Sequence, residues 1–141
     1  MSKVEGLAGK LSYLGYDIDD LVENCTFEEV TFLLHNNRLP NAEELTAFEA
    51  KLRNDRELPE QVITFLKSLP VDATPMDVLR TAVSMLGIFD HRAAVGEPNH
   101  AVNRAVALSI VATTPVIVAY YHLIRQGKAL PEVRNALSEA A

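Results

Sequence analysis

The stretch that decides the fold runs from residue 105 to residue 124 and reads AVALSIVATTPVIVAYYHLI. It contains no Asp, Glu, Lys or Arg, and about 20 apolar residues suffice to cross a bilayer. However, it also contains Ser109, Thr113, Thr114 and His122, and an arginine flanks it on each side, so no charge bias orients it across a membrane. These features favour a buried helix of a globular domain, and we expect no membrane association.

A second apolar segment, Thr74–Phe89, precedes this stretch and begins with TPMD. Its first residue is a suitable N-cap, Pro75 has the φ required at the first helical position, and Asp77 complements the positive end of the helix dipole. Apolar residues then fall on more than one face, which predicts a helix buried on several sides. The longer helix is expected over about Asn99–Gln126, with a kink at Pro115.

The rest of the chain also has helical signals, and we find no alternation typical of strands. The clearest signal is Thr26-Phe27-Glu28-Glu29, a capping box in which Thr26 and Glu29 bond each other's backbone amides. A turn is predicted at Gly15-Tyr16-Asp17 and a loop over residues 91–99. The other predicted helices, in chain order, run over about Ile18–Glu23, from Thr26 to Asn36, from the cap Asn41 to Leu52, from Pro59 to Leu69, and onward from Leu137.

The composition limits the classes of protein to consider. The 141 residues include 13 Lys and Arg against 19 Asp and Glu, a formal net charge of −6, which disfavours nucleic acid as a partner. The single cysteine, Cys25, excludes an internal disulfide and a thiolate zinc cluster. Residues 1–10 contain no apolar run of a secretory signal, so we expect a cytoplasmic protein. The predicted fold class is all-α, with residues 1–141 forming a single helical unit.

Few residues could support chemistry. The four histidines, His35, His91, His100 and His122, lie on different predicted elements without a second ligand at helical spacing, which favours surface positions over metal binding. Cys25 precedes a helix N-terminus, which can lower the pKa of a thiol, but the sequence places no base beside it. We therefore predict no catalytic, cofactor-binding or metal-ligating residue. The remaining candidates are acidic pairs explained by helix capping: Asp19-Asp20, Glu28-Glu29 and Glu43-Glu44.

The two apolar helices carry more apolar surface than a small domain can cover. One alternative is a monomeric bundle with both helices at its centre. We favour association with a second copy or another chain, in which small side chains would let the helices approach closely. The predicted interface consists of apolar side chains from both helices: Met76, Leu79, Ala82, Val83, Leu86, Ala105, Leu108, Ala112, Val116 and Ala119.

Several motifs resemble those of bacterial citrate synthases and occur in the same order. The resemblance extends over about residues 11–141, and its most specific motif is PMDVLRTAVS at residues 75–84. The other motifs are LSYLGYDI at 11–18, which resembles the family's Tyr-Arg-Gly-Tyr-Asp-Ile opening, FEEV at 27–30, NRLP at 37–40, and PVIVAYY at 115–121 followed by Gly127 and Pro131.

Three departures accompany the resemblance. The family's N-terminal segment, with a strand and a tight turn, is expected to be deleted or minimal, because Gly9-Lys10 follows Gly6-Leu7 almost at once. Leu14 replaces the usual arginine of the opening motif. Leu137–Ala141 resembles the point at which the family continues into Asn-Phe-Leu-Tyr. We therefore expect a truncated chain that lacks the family's downstream catalytic histidines and aspartate and its oxaloacetate-binding arginines.

The resemblance implies a multi-helical N-terminal portion of the large domain of a citrate synthase, a homodimeric enzyme of the tricarboxylic acid cycle. The complete enzyme would condense acetyl-CoA with oxaloacetate, an acyl transfer that needs no metal or redox cofactor. Thr74–Phe89 and Asn99–Gln126 would belong to its dimer interface. The chain alone is expected to bind no cofactor, to be inactive, and to pair with a second copy or the missing C-terminal remainder. Two alternatives stay open: a non-catalytic helical interaction module that homo-oligomerises or pairs with an intact synthase, and a small-ligand carrier with a pocket beside Pro115.

Overall fold

The computed structural model describes residues 2–93 and 99–131, and contacts within the chain group them into two compact units. The first unit contains residues 2–51, and the second contains residues 52–93 and 99–131. The described chain is mostly helical, so the predicted fold class is confirmed in its main feature. The helix predicted from Leu137, and most of the loop predicted over residues 91–99, lie outside the described residues.

A small antiparallel sheet opens the first unit, although the sequence predicted no strand. It contains β1 (Ser2–Glu5), β2 (Lys10–Tyr13) and β3 (Tyr16–Asp17) in the order β1-β2-β3. The register pairs Val4 with Leu11. The expectation that this segment is deleted or minimal is therefore wrong. All four residues of β1 are exposed, so no buried face imposes the apolar alternation by which strands are recognised.

The connection between β2 and β3 is a two-residue turn at Leu14-Gly15. Both residues have positive φ, +52° and +93° respectively. This combination is typical of the type I′ turn, whose twist matches that of the flanking strands. The turn thus begins one residue earlier than predicted, and Leu14 occupies a backbone region that is unfavourable for a side chain with a Cβ.

Three helices follow: α1 (Ile18–Asn24), α2 (Phe27–Asn36) and α3 (Ala42–Asn54). The predicted capping box of α2 is confirmed, because the Thr26 amide donates to Glu29 Oε2 at 2.7 Å and the Glu29 amide donates to Thr26 Oγ1 at 3.2 Å. Both bonds close within four residues of chain, so the start of α2 is fixed by its own sequence.

The start of α3 has a similar reciprocal cap. The Asn41 amide donates to Glu44 Oε2 at 2.9 Å, and the Glu44 amide donates to Asn41 Oδ1 at 2.9 Å. Arg38 donates to both carboxylate oxygens of Glu44, at 2.8 and 2.5 Å. The Arg38 guanidinium, and then the Asn41 amide, lower the pKa of Glu44 to about 2. Arg38 also lies over the ring of Phe32, which meets Phe48 edge to face at 5.3 Å between centroids.

The second unit is built from α4 (Glu60–Ser68), α5 (Pro75–Phe89), a short 3-10 helix (His91–Ala93) and α6 (His100–Arg125). The three α-helices pack against one another in pairs. α4 begins one residue later than predicted, because Pro59 is its N-cap. The buried core consists of Leu58, Val62, Leu66, Val78, Ala82, Ile117, Tyr120 and Tyr121.

The two long apolar helices have the predicted bounds within one or two residues. Asn99 caps α6, with its Oδ1 accepting from the amides of Ala101 at 3.0 Å and Val102 at 3.4 Å. Gly127, with a φ of +64°, follows the end of α6 as predicted. α6 continues through Pro115, and the kink expected there stays a prediction.

Candidate interaction surface on α5 and α6

α5 and α6 lie antiparallel to each other. The first turn of α5 lines a groove together with the C-terminal half of α6, and the last turns of α5 line a cavity with the N-terminal half of α6. Only Val78 and Ala82 of α5 are buried. Met76 and Ile88 on the same helix are 68% and 71% exposed. The expected burial of α5 on several sides is therefore wrong for the described chain, in which α5 makes its main contacts with α4, α6 and the 3-10 helix.

The ten predicted interface residues fall into three groups by exposure. Four half-buried members pack one side against the core and leave the rest open: Leu79, Val83, Leu86 and Val116. Ala105 is also half-buried. The members that are already buried within the second unit are Ala82, Leu108 and Ala112, and the exposed members are Met76 and Ala119. The open side chains are the ones that a partner could contact.

Three exposed apolar side chains on the same helices were missing from that prediction. They are Ile88 on α5, and Ile110 and Val118 on α6, which are 71%, 36% and 52% exposed. The sequence could not separate them from core residues, because both helices are apolar on several faces and periodicity alone does not show which face meets a neighbour. Their exposure adds to the open apolar surface of the pair.

One end of the helix pair forms a groove of about 230 Å³, named here the Met76 groove. Met76, Leu79 and Val118 supply apolar surface, while His122 and Arg125 from the last turns of α6 add polar groups. An apolar floor with a polar margin is typical of protein interaction sites. The complete lining is Pro75, Met76, Val78, Leu79, Ile117, Val118, Tyr121, His122 and Arg125.

The other end of the pair forms a cavity of about 310 Å³. Val83, Leu86 and Ile110 line it, together with the ion pair of Asp90 and Arg92. Arg92 donates to the two carboxylate oxygens of Asp90, from Nε and from a terminal nitrogen, at 2.8 Å each. These hydrogen bonds lower the pKa of Asp90. The pair closes the C-terminal end of α5 onto the 3-10 helix, which gives it a structural role.

The side chains that could take part in catalysis or metal binding do not form a cluster within the described residues. His91, His100 and His122 are exposed and His35 is half-buried. Within residues 2–93 and 99–131, no group of three or more His, Cys, Asp or Glu side chains could hold a metal ion. The pKa of the Cys25 thiol is raised, first by burial and then by the Glu29 carboxylate, opposite to the lowering that a helix N-terminus can produce.

The acidic pairs differ from one another in the structure. Glu29 and Glu44 take part in reciprocal caps, as helix-start signals should. Glu28, in contrast, is buried at 2% exposure. The sequence analysis explained both Glu28 and Glu29 by capping and did not predict that Glu28 is buried. Adjacent residues of a helix point in different directions, so one member of the pair can cap the helix while the other is buried.

α6 is long and apolar enough to cross a membrane, judged by length and composition alone. One third of its most apolar window is buried within the chain. Because the core helix of a water-soluble protein has the same properties, this single helix is weak support for a membrane span.

Comparison with known families accounts for the order of these elements. The family model described as "Citrate synthase, C-terminal domain" matches residues 1–141. The chain belongs to the citrate synthase family. The members of this family are enzymes of the acyltransferase type. The resemblance inferred from the motifs is thereby confirmed.

The relatives include both 2-methylcitrate synthases and citrate synthases. The chain is 42% identical to 2-methylcitrate synthase 1 of Corynebacterium glutamicum over 119 residues, which cover 84% of this chain and 31% of the relative. It is 41% identical to citrate synthase 2 of Bacillus subtilis over 118 residues, 83% of this chain and 31% of the relative. The chain therefore spans about a third of the length of these relatives.

Solved citrate synthases have the same fold over this region. The structure from Pyrobaculum aerophilum matches all of this chain and 37% of its own, with a TM-score of 0.90 and 29% identity. The structure from Thermotoga maritima matches 98% of this chain and 35% of its own, with a TM-score of 0.85 and 31% identity.

Proposed function

We propose that this chain is the N-terminal part of the large domain of a citrate-synthase-type enzyme and supplies scaffold and dimer-interface helices. The observation that carries this proposal is the open apolar surface of α5 and α6 in a chain of this family. Met76, Ile88 and Val118 are more than half exposed, and the exposure of apolar side chains to water is unfavourable in free energy. Association through α5 and α6 with a second copy, or with the remainder of the enzyme, would cover them.

The proposed reaction of the complete enzyme is the condensation of acetyl-CoA with oxaloacetate to citrate. Citrate synthase 2 of B. subtilis, at 41% identity, supports this product. The chain itself would contribute no catalytic residue and bind no cofactor. We also propose that it is inactive alone, because it spans about a third of the length of its relatives.

A second product has equal support from the relatives. The enzymes from C. glutamicum and Shewanella oneidensis, at 42% and 39% identity, are 2-methylcitrate synthases. 2-Methylcitrate has one methyl group more than citrate, so the acyl thioester that yields it has one carbon more than acetyl-CoA. Propionyl-CoA is therefore the competing substrate.

A complementation assay tests the catalytic part of the proposal. The 141-residue chain is mixed with the remaining two thirds of the B. subtilis relative, and release of CoA is measured with oxaloacetate and either acetyl-CoA or propionyl-CoA. We expect turnover only in the mixture. Release of CoA by the chain alone would contradict its inactivity, and a stable but inactive complex would favour the non-catalytic interaction module. Restored turnover with one thioester would give the substrate preference of the mixed enzyme, which includes residues of the relative.

Sedimentation of the chain alone tests the interface. Val118→Glu places a charge on the open face of α6 and should shift the chain toward the monomer. Val22→Glu is the matched control, because Val22 is 75% exposed on α1, outside the proposed surface. A wild-type chain that stays monomeric at high concentration would contradict self-association. An equal effect of the two variants would contradict the assignment to α5 and α6.

A further inference from the structure

The connection between α4 and α5 is held by two side chains of α6. Residues 70–73 form a turn in which the Ala73 amide donates to the Pro70 carbonyl at 3.1 Å. The Tyr121 hydroxyl lies 3.0 Å from the carbonyl oxygen of Ala73 and 3.3 Å from that of Pro70. Arg125 Nε donates to the carbonyl of Val71 at 2.8 Å. Three of the four carbonyls of this turn therefore lie within hydrogen-bond distance of a donor on α6.

The two donors also support each other. Tyr121 and Arg125 are one helical turn apart, and the guanidinium of Arg125 lies 5.7 Å from the centroid of the Tyr121 ring. Tyr121 is 4% exposed and belongs to the buried core, so its ring has a fixed position. It can donate its single hydroxyl proton to one carbonyl at a time. The buried ring of Tyr121 thus helps to hold the guanidinium of Arg125 in a fixed position on α6.

The start of α5 depends on this contact because it lacks a cap of its own. Thr74 is the N-cap, but its side chain forms no capping hydrogen bond. Pro75 has no amide hydrogen, and the amides of Asp77 and Val78 donate to the Thr74 carbonyl, at 3.0 and 3.1 Å. The position of the first turn is therefore determined by what holds the residues just before it.

We propose that Tyr121 and Arg125 are positioning residues that strap residues 70–73 to α6 and so keep the Met76 groove open in the free chain. Pro75 and Met76, which follow the strapped turn directly, form one wall of the groove, while Tyr121 and Arg125 belong to the opposite wall. The strap thus joins the two walls. A groove that is already formed binds a second copy of the chain at a lower ordering cost than one that must be assembled. This consequence of the strap rests on the proposed association through α5 and α6.

Amide hydrogen exchange of the full chain tests the strap. Tyr121→Phe and Arg125→Met each remove donors and retain most of the side-chain volume. Loss of the neutral hydrogen bond of Tyr121 should speed local exchange by roughly 2–10-fold, and loss of the charge-assisted bond of Arg125 should speed it at least as much. We expect this increase at Ala73, Asp77 and Val78, with the amides of Val62 to Leu66 in α4 unchanged. Exchange that is unchanged at Asp77 and Val78, or equally faster in α4, would overturn the proposal.

Two matched variants separate the strap from general effects of these substitutions. Tyr120→Phe removes the neighbouring hydroxyl, which donates to the Pro131 carbonyl at 2.9 Å. Arg80→Met removes an exposed arginine of α5 that pairs with Asp77 at 2.6 Å. Neither should speed exchange at Ala73. If both do so as strongly as the strap variants, the strap assignment is wrong.

Sedimentation then tests the consequence. If the wild-type chain self-associates, the strap variants should dissociate at several-fold higher concentration. Faster local exchange with unchanged association would overturn the role of the strap in presenting the groove. If the wild-type chain does not associate, self-association through α5 and α6 is ruled out, and the strap is judged from exchange at Asp77 and Val78 alone.

Discussion

The starts of α2 and α5 have the same kind of sequence and different physical support. Both begin at a threonine followed within three residues by an acidic side chain, Glu29 for α2 and Asp77 for α5. At α2 the threonine and the carboxylate exchange bonds with each other's amides. At α5 the Thr74 side chain forms no capping bond, and Asp77 instead pairs with Arg80 at 2.6 Å.

The difference shows how far a local motif can be trusted. The glutamate of α2 is long enough to reach back to the N-cap amide, which the shorter aspartate of α5 does not do in this structure. The α5 start is held instead by Tyr121 and Arg125, whose partners lie 48 to 54 residues away in the chain. The local pattern thus predicts the first residue of both helices. It predicts the hydrogen bonds that stabilise the helix start for α2 but not for α5.

The largest expected effect on stability comes from a substitution in the core that packs α4, α5 and α6 together. Leu66 is fully buried in the core on which α5 and α6 pack. Leu66→Ala should lower the free energy of unfolding by about 2–5 kcal/mol, because it removes buried apolar groups and leaves a cavity. Chemical denaturation measures the change. Met76→Ala, at a 68% exposed position, is the control and should cost far less; equal losses would show that the described core is not the one that stabilises the chain.

The next effect sharpens the contrast between the two threonines. Thr26→Ala removes a capping bond and should destabilise the chain by about 1 kcal/mol. Thr74→Ala removes a side chain with no capping bond and should cost only a few tenths of a kcal/mol. Thermal or urea unfolding of the two variants side by side gives the comparison. If Thr74→Ala costs as much as Thr26→Ala, the start of α5 is capped locally after all.

The smallest effect concerns the cap of α3 and its pH dependence. The folded-state pKa of Glu44 is about 2, against an ordinary value of 4.5. Because the folded pKa is the lower one, the stabilisation from this carboxylate is present above about pH 4.5 and is lost as pH falls toward 2. Arg38→Gln should raise the pKa of Glu44 toward its ordinary value, measured by NMR titration of the carboxyl carbon. Arg80→Gln is the control, and a Glu44 pKa near 4 in the wild type would contradict the cap.

The fold was largely predictable, with one region as the exception. Helix positions followed from caps and prolines, such as Thr26, Asn41 and Asn99, because these signals act within one turn of chain. The sheet over residues 2–17 was missed, because the edge strand β1 has no buried face, β2 and β3 have only four and two residues, and Leu14 is not a residue that announces a turn with positive φ. The backbone pairing of strands this short is therefore not visible in the side-chain pattern.

The candidate surface was predictable at the level of helices and not of faces. The sequence identified α5 and α6 as too apolar to be covered within a small domain. It grouped Ala82 and Ala112, which are buried in the chain, with Met76, which is open. Ile88 and Val118 were left out because an apolar residue looks the same in sequence whether a neighbouring helix covers it or not.

The sequence by itself determined the family, the order of the helices and the places where most of them begin, because these depend on residues close together in the chain. Only the tertiary structure decided which face of α5 is buried against α4 and α6, and that Tyr121 and Arg125 hold the turn before α5. The physical reason is that burial and long-range hydrogen bonds depend on distances between elements, which the packing of the folded chain sets and a local pattern does not encode.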